Sequence, residues 1–570
     1  MTKKSLLAAA SAAAALVAFP AAASAATVNV AAPNITVTGD NTDETIVIAD
    51  AGGFITVDGA PTTATADDTF DLTVNALGGA DTITVTTALV RGVTINGGDG
   101  NDIVNGSPDD DVVNGGNDRD TLNGGGGDDR ISGNDGDDTM NADAGNDVMV
   151  WNPGDDTDVM NGGAGGGDDA ELNGGNNPEQ FAAAPNAGRV TFERVSPAPF
   201  KLDVGPDTER LVLNANGGDD TMVSNPATPT AMLLNGGTGV DTMTAGAGAD
   251  LVNGGDDNDT LDGGPGIDRV VGDRGNDTML GRAGADTLVW NNGDGSDVMD
   301  GHDGLDEIEV NGAAGAGDAF EIAPNGQRVR FDRTNLGPFT LDIATSEVFE
   351  INALGGDDTL AVKPGVPMAV LARGDEGNDT LTGAEEQDTF FGGAGNDTLD
   401  GGGGNDLLDG QDGDDTLLAR DGIGDLVRGG LGTDSAQLDK RDVHVDVETV
   451  DRKRHGYKVD VVNGKAKIRY DRKKKRPYAY VALECPKHAQ DGCDGWLTLY
   501  TKKHYRAHGI KVRPVLGKAK YRLDAGDEKR IKVPLARGVK SYAKNGRIAV
   551  VAQAYGEDGS WASEKLSLRK

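Results

Sequence analysis

An aspartate returns every nine residues along much of this chain. Asp102, Asp111, Asp120, Asp129, Asp138 and Asp147 form one series. Asp241, Asp250, Asp259, Asp268, Asp277 and Asp286 form a second, and Asp379, Asp388, Asp397, Asp406 and Asp415 a third. Around most of them the sequence reads Gly-Gly-x-Gly-x-Asp-x-apolar-x, as in Gly97-Gly98-Asp99-Gly100-Asn101-Asp102-Ile103-Val104-Asn105. The glycines allow positive φ and a tight turn. The residues after the Asp make a short strand whose middle side chain points inward. Val104, Val113, Leu122, Ile131, Met140 and Met149 hold that place in the first run. Met243, Val252, Leu261, Val270, Met279 and Leu288 hold it in the second, and Leu381, Phe390, Leu399, Leu408 and Leu417 in the third. One turn and strand cannot close a core. Two make a coil, and stacked coils make a parallel β-roll or β-solenoid with a thin apolar interior.

Stacking brings like turns together, so the aspartates of successive coils approach and repel unless a cation lies between them. Calcium suits such a gap, because it accepts six to eight mixed carboxylate and carbonyl oxygens in flexible geometry. Magnesium demands a tighter octahedron and keeps its waters. The donor set has no soft atoms for zinc or copper. The charge makes the same demand. The chain carries −41 overall, and residues 451–570 hold 31 Lys and Arg against 12 Asp and Glu. The first 450 residues are therefore at −60, and such a Gly-rich chain stays open unless bound cations neutralise it.

A longer period encloses the short one. Asn75-Ala76-Leu77-Gly78-Gly79-Ala80-Asp81-Thr82 returns at Asn214–Thr221 and at Asn352–Thr359, offsets of 139 and 138 residues. Trp151-Asn152-Pro153-Gly154-Asp155 matches Trp290-Asn291-Asn292-Gly293-Asp294, and Phe200 matches Phe339. The acidic part is thus three copies of one module, the third stopping after its run, which points to an extended array. Between the runs, Arg189–Phe192 and Phe339–Ile343 alternate like strands, as do Ile35–Val37 and Thr45–Ile48. These stretches read as wider, Gly-poor coils of the same solenoid. The resulting order is a leader (1–26), an N-terminal solenoid segment (27–96), and runs at 97–175, 236–310 and 374–440. Linking segments at 176–235 and 311–373 separate the runs, and a basic domain follows at 441–570. In that domain Tyr478–Leu483, Trp496–Tyr500, Ile531–Leu535, Arg547–Ala554 and Lys565–Leu568 read as strands of a small β-sandwich.

The runs resemble the haemolysin-type (RTX) calcium-binding repeats, which carry the same Gly-Gly-x-Gly-x-Asp motif. With Asp425 and Asp434 included, nineteen positions of this sequence match. The resemblance implies a parallel β-roll with calcium between adjacent turns. It implies as ligands the aspartates named above, Asp425 and Asp434, with turn carbonyls such as those of Gly97, Gly115, Gly124, Gly236, Gly263, Gly392 and Gly401. Gly106-Ser107-Pro108-Asp109, Ala142-Asp143-Ala144-Gly145 and Ala384-Glu385-Glu386-Gln387 depart from the motif, and Asp415 to Asp425 is ten residues rather than nine. Calcium is least expected at those turns, and about a dozen ions are expected in all.

Lys3, Lys4, the apolar stretch Leu6–Phe19 and Ala23-Ser24-Ala25 read as a secretory signal peptide. No later segment has the length and apolarity of a spanning helix. The expected location is extracellular, either released or held at the cell surface. Outside the cell Cys485 and Cys493 are expected to form a disulfide. A zinc site using them with His488 is the sharper alternative, but it lacks an evident fourth ligand. His504 and His508 lack the Glu of a metalloprotease helix, and no Gly-x-Ser-x-Gly elbow or Walker loop is present. The expectation is a calcium-binding structural or adhesive protein that is not an enzyme. The alternatives are an exoenzyme bearing the repeats as an accessory, and a protein that grips an anionic cell-surface polymer through 441–570 and Lys473–Arg476. Nucleic acid is a poor partner for a chain with −60 in its larger part.

Overall fold

The computed structural model describes residues 26–452, apart from 32–33, 51–53, 66–70, 87–91 and 440, and then the backbone of eleven strands between Asp460 and Arg569. Residues 1–25 of the expected leader (1–26), Lys473–Lys475, Cys485, His488, His504 and His508 lie outside the described residues. Cys493 opens a strand of which only the backbone is described, so the disulfide remains an expectation. Every regular element among the described residues is a β-strand. No helix among the described residues is long and apolar enough to cross a membrane.

In the unit that ends at Gly248, strands alternate between two parallel sheets. One face stacks Asp71–Gly78, Val93–Asp99, Val112–Asn117, Arg130–Asp135 and Val148–Trp151. The other stacks Thr82–Val85, Ile103–Asn105, Thr121–Gly126, Thr139–Ala144 and Val159–Gly163. Val113 pairs with Ile131 and Leu122 with Met140, so one coil is two nonapeptides, as the period requires. Val104, Val113, Leu122, Ile131, Met140 and Met149 are fully buried between the sheets. At one end, Thr27–Ala31 runs antiparallel to Asn34–Thr38, and Phe54–Val57 lies antiparallel between Thr45–Asp50 and Ala60–Thr65. Antiparallel strands on both sheets protect edges that would otherwise recruit another chain.

The linking segment does continue the solenoid, but not as a plain wider coil. Gln180–Asn186, Arg189–Ser196 and Phe200–Val204 form an antiparallel meander inside the second sheet. Its outer strands rejoin the parallel stack, Phe200–Val204 on Val159–Gly163 and Gln180–Asn186 on Thr221–Ser224. The reversal is local chemistry: Ala187 and Gly188 both take positive φ, 50° and 90°, which is the two-residue turn that suits a twisted hairpin.

The unit from Ala249 repeats this plan. Leu251–Asp256, Arg269–Arg274, Thr287–Asn291 and Glu307–Asn311 stack on one face, and Thr260–Asp262, Thr278–Leu280 and Val298–Asp300 on the other. Ala319–Asn325, Arg328–Arg333 and Phe339–Ala344 form its meander. Parallel coils resume through Leu407–Asp412 and Leu426–Leu431, where Leu408 pairs with Val427 across the ten-residue spacing. The stack runs past residue 440, with Val443–Val445 on Leu426–Leu431 and Thr449–Arg452 on Ser435–Leu438. Beyond it, Arg476–Glu484 lies antiparallel between Glu528–Pro534 on one side and Asp460–Val462 and Arg469–Asp471 on the other. Cys493–Thr501, Val515–Leu523, Arg547–Gly556 and Trp561–Arg569 form a second antiparallel sheet. Asp460–Val462 lies against the last two of these strands, so the two sheets meet in the sandwich-like arrangement expected.

Outward-facing asparagines add a second device. Asn123 Nδ2 donates to Asn105 Oδ1 at 2.9 Å, Asn141 to Asn123 at 2.8 Å and Asn161 to Asn141 at 2.8 Å. Such ladders reward exact register between stacked strands, because a slip of one residue breaks every rung.

Candidate metal centres

Each ladder aspartate sits at the turn-to-strand junction two residues before an inward apolar side chain. All nineteen positions, Asp102 through Asp434, are at most 3% exposed. Burying so many carboxylates costs free energy unless each is bound. One oxygen of most of them is bound by the protein itself. The amide of Asp102 donates to Oδ1 of Asp120, Asp111 to Asp129, and Asp120 to Asp138, each at 2.7 Å. The pattern recurs from Asp250 to Asp268 (2.9 Å), Asp259 to Asp277 (2.7 Å), Asp379 to Asp397 (2.8 Å) and Asp388 to Asp406 (2.9 Å). Across the ten-residue spacing it survives, with Asp406 donating to Asp425 at 2.8 Å and Asp415 to Asp434 at 2.9 Å. Asp220 donates in the same way to Asp241 at 2.7 Å.

The other oxygen is what makes a site. Oδ2 of Asp102, Asp120, Asp129, Asp138 and Asp147 is buried with no hydrogen-bond partner. The same holds for Asp268, Asp277, Asp286, Asp379, Asp397, Asp415, Asp425 and Asp434. Carbonyls converge on these oxygens. A methyl group added to Gly97 would collide with both Asp102 Oδ2 and the carbonyl of Gly115. One on Gly106 would meet Asp111 Oδ2 and Gly124 O, one on Gly374 Asp379 Oδ2 and Gly392 O, and one on Gly383 Asp388 Oδ2 and Gly401 O. Gly97 and Gly263 themselves face Asp102 and Asp268, and Gly236 lies in the strand Ala231–Thr238 ahead of Asp241. From the preceding coil, Asp118 O points at Gly136, beside Asp138 Oδ1. Each gap between coils is therefore lined by carboxylate and carbonyl oxygens.

Burial drives the pKa of these carboxylates up, and neighbouring aspartates push that of Asp120, Asp129, Asp268, Asp277 and Asp397 further. Asp120, Asp129 and Asp268 are raised to about 8, and Asp277, Asp286 and Asp397 to about 7. Among the described residues no group of three or more Asp, Glu, His or Cys side chains is placed to hold a metal by itself. A cation here must share a carboxylate with backbone carbonyls. Such an all-oxygen set fits calcium and is foreign to zinc.

A left-handed residue four before the Asp accompanies most of the open turns, although Asp425 keeps an open Oδ2 without one. The residue four before the Asp has positive φ at Gly98, Gly116 and Gly125, at Gly264 and at Gly393 and Gly430. Non-glycines do the same, with Asn134 at 65°, Asp143 at 74°, Asp273 at 59°, Arg282 at 72°, Asp375 at 65° and Gln411 at 72°. In all of these turns the aspartate keeps an unpartnered Oδ2. Ser107 and Ala384 are not left-handed, and their amides cap Asp111 Oδ2 at 2.5 Å and Asp388 Oδ2 at 3.2 Å. Two of the three turns that depart from the motif are thus closed by the protein itself. The third, at Ala142–Gly145, keeps its open shape because Asp143 tolerates the left-handed region.

The column extends beyond the motif. Asp81, Asp158, Asp168, Asp220, Asp297, Asp306 and Asp358 are buried, and each presents an Oδ2 without a hydrogen-bond partner. The amide of Asp81 donates to Asp102 Oδ1 at 2.7 Å and that of Asp138 to Asp158 Oδ1 at 2.9 Å. Reading by the glycines passed over these residues. The signal that finds them is an aspartate two residues ahead of a buried apolar residue, as in Asp81 with Ile83 or Asp158 with Met160.

The RTX calcium-binding nonapeptide repeat model matches this chain at residues 94–122 and 114–149, 235–270 and 262–289, and 373–408 and 391–426. These stretches cover the first part of each of the three runs, to residues 149, 289 and 426, and leave the ends of the runs, the linking coils and 441–570 unmatched. No curated protein matches the chain. With the coil geometry and the oxygen-lined gaps, the matches identify the three runs as RTX calcium-binding nonapeptide repeats.

Proposed function

We propose that this chain is an exported, non-enzymatic calcium-binding array with a structural or adhesive role, and that calcium folds it. The observation that carries the reading is the column of buried Oδ2 atoms with no protein partner. A divalent cation between coils supplies the missing partner and offsets part of the −60 that keeps the metal-free chain open. Extracellular calcium modules typically bind at about 10⁻⁴–10⁻³ M, so the array would stay open in a low-calcium cytoplasm and fold outside. The basic segment 451–570 would then tie the array to an anionic polymer of the cell surface, which its +19 favours. The test of the folding step is circular dichroism of the purified protein during a calcium titration. β-content is expected to rise between excess chelator and millimolar calcium. An unchanged spectrum would sink the reading. Pull-down with an anionic wall polymer at low salt tests the attachment, and no retention of 441–570 removes it.

A further inference from the structure

Besides the capped Asp111 and Asp388, two carboxylates of the column outside the runs have both oxygens bound by the protein. Glu179 and Asp318 hold equivalent places at the start of the two meanders, and their amides donate onward to Asp220 Oδ1 at 2.7 Å and Asp358 Oδ1 at 2.5 Å. Both are buried like their neighbours. Yet Glu179 Oε1 accepts Arg194 Nη1 at 2.7 Å and its Oε2 accepts the amide of Gly175 at 2.5 Å. Asp318 Oδ1 accepts Arg333 Nη1 at 3.3 Å and its Oδ2 accepts the amide of Ala313 at 2.7 Å.

The arginines are built in. Arg194 is 8% exposed and Arg333 4%. Arg194 Nε donates to Ala198 O at 2.9 Å, and Arg333 donates to Gly337 O and to Asn292 Oδ1. Trp151 stacks on Phe200 at 3.6 Å, with the Arg194 guanidinium 5.1 Å from the indole and 5.2 Å from the phenyl ring. Trp290, Phe339 and Arg333 repeat the arrangement at 3.8, 5.2 and 5.1 Å. This explains why the Trp-Asn stretch and the Phe recur with the long period. Glu44 supplies an internal comparison. It precedes Asp81 as Glu179 precedes Asp220, and its amide donates to Asp81 Oδ1 at 2.6 Å. Residues 27–90 contain no Lys or Arg, and Glu44 Oε2 is buried without a partner.

We propose that Arg194 and Arg333 stand in for calcium at the start of the two meanders, so that these meanders fold without the metal the nonapeptide runs require. The inference rests on the calcium reading only for what the runs do. A guanidinium brings its own charge and fixed donors to a buried carboxylate, and removing it leaves that charge uncompensated. The chain would then hold two metal-independent folded joints, each available as a template on which an adjacent run stacks when calcium arrives.

Hydrogen exchange of the full-length protein, read by mass spectrometry in excess chelator and in millimolar calcium, tests this. In chelator, peptides from 180–204 and 319–344 are expected to exchange more slowly than those from 97–147 and 374–417. Calcium is expected to slow the runs and change the meanders little. Arg194→Met is expected to speed exchange of 180–204 in chelator roughly ten- to hundredfold, the range of a charged hydrogen bond, and to leave 319–344 alone. Arg333→Met should do the reverse. Should Arg194→Met fail to fold, the Glu179→Gln, Arg194→Met double variant removes both charges and is expected to regain protection. Meanders that exchange as fast as the runs in chelator, or that ignore the loss of the arginine, overturn the proposal, as does a double variant no better protected than Arg194→Met. Protected, arginine-dependent meanders beside runs that ignore calcium would uphold it and reject the calcium reading instead.

Discussion

The amide of Asp102 donates to Oδ1 of Asp120 one coil away, at 2.7 Å, and leaves Oδ2 of Asp120 buried with no protein partner. One side chain thus does two things. It fixes the stacking of two coils through the backbone, and it holds an acceptor ready for a cation. Asp111 does only the first, because Ser107 caps its second oxygen.

That difference can be measured. Asp120→Asn keeps an oxygen for the Asp102 amide and replaces the open acceptor with a donor. It is expected to raise the calcium midpoint on the order of tenfold and to lower the number of ions bound, by equilibrium dialysis, because a buried charge facing a divalent ion is lost. Asp111→Asn should move both quantities less. Equal effects would show that the capped and open turns are alike.

The left-handed turn residue gives a second test. Gly125 has φ of 112°, and a methyl group there would collide with Ser107 O. Gly125→Ala is expected to cost about 1–3 kcal/mol of stability in calcium, measured by denaturant unfolding. Asn134→Gly, at φ of 65°, should cost less than Gly125→Ala, since glycine takes that angle freely and only the hydrogen bond from Ser132 Oγ to Asn134 Oδ1, at 3.2 Å, is lost. A neutral Gly125→Ala would refute the role given to that angle.

Protons should compete with calcium. Asp120, Asp129 and Asp268 are raised to about 8 by burial and by neighbouring aspartates, from an ordinary 3.8. In the metal-free fold these groups hold protons that the unfolded chain releases. Their contribution to metal-free stability is full below about pH 4 and is lost as pH rises through 8. Calcium needs them ionised, so its affinity should rise over the same interval and binding should release protons. Calorimetric titration at pH 6.5 in two buffers of different ionisation enthalpy reads this directly. Heats that do not depend on the buffer would contradict it.

The interior is thin, one inward side chain per strand from each turn, so each counts heavily. Leu122 is fully buried. Leu122→Ala is expected to cost about 2–5 kcal/mol in the calcium-loaded protein, read by denaturant unfolding of the first run. A loss under about 0.5 kcal/mol would mean that the coils can close over the gap.

Much of this was legible in the sequence because the determinants are local and repeated. The nine-residue spacing sets the coil, and the residue two after each Asp, from Val104 to Leu417, sets the core, since a strand exposes alternate side chains to opposite faces. The composition set the demand for cations. The meanders at Gln180–Val204 and Ala319–Ala344 were visible as strands but not as reversals. Their pairing joins Phe200–Val204 to Val159–Gly163 out of chain order, a non-local choice that no local period records. Nor could the spacing say which carboxylates stay open. That depends on the backbone of Ser107, Asp143 or Ala384, and on whether Arg194 or Arg333 folds back onto Glu179 or Asp318. The sequence alone determined that carboxylates would form a column and repel. Only the tertiary structure decided which of them the protein neutralises itself, because that requires partners brought together from 15 residues away in the chain and held out of water.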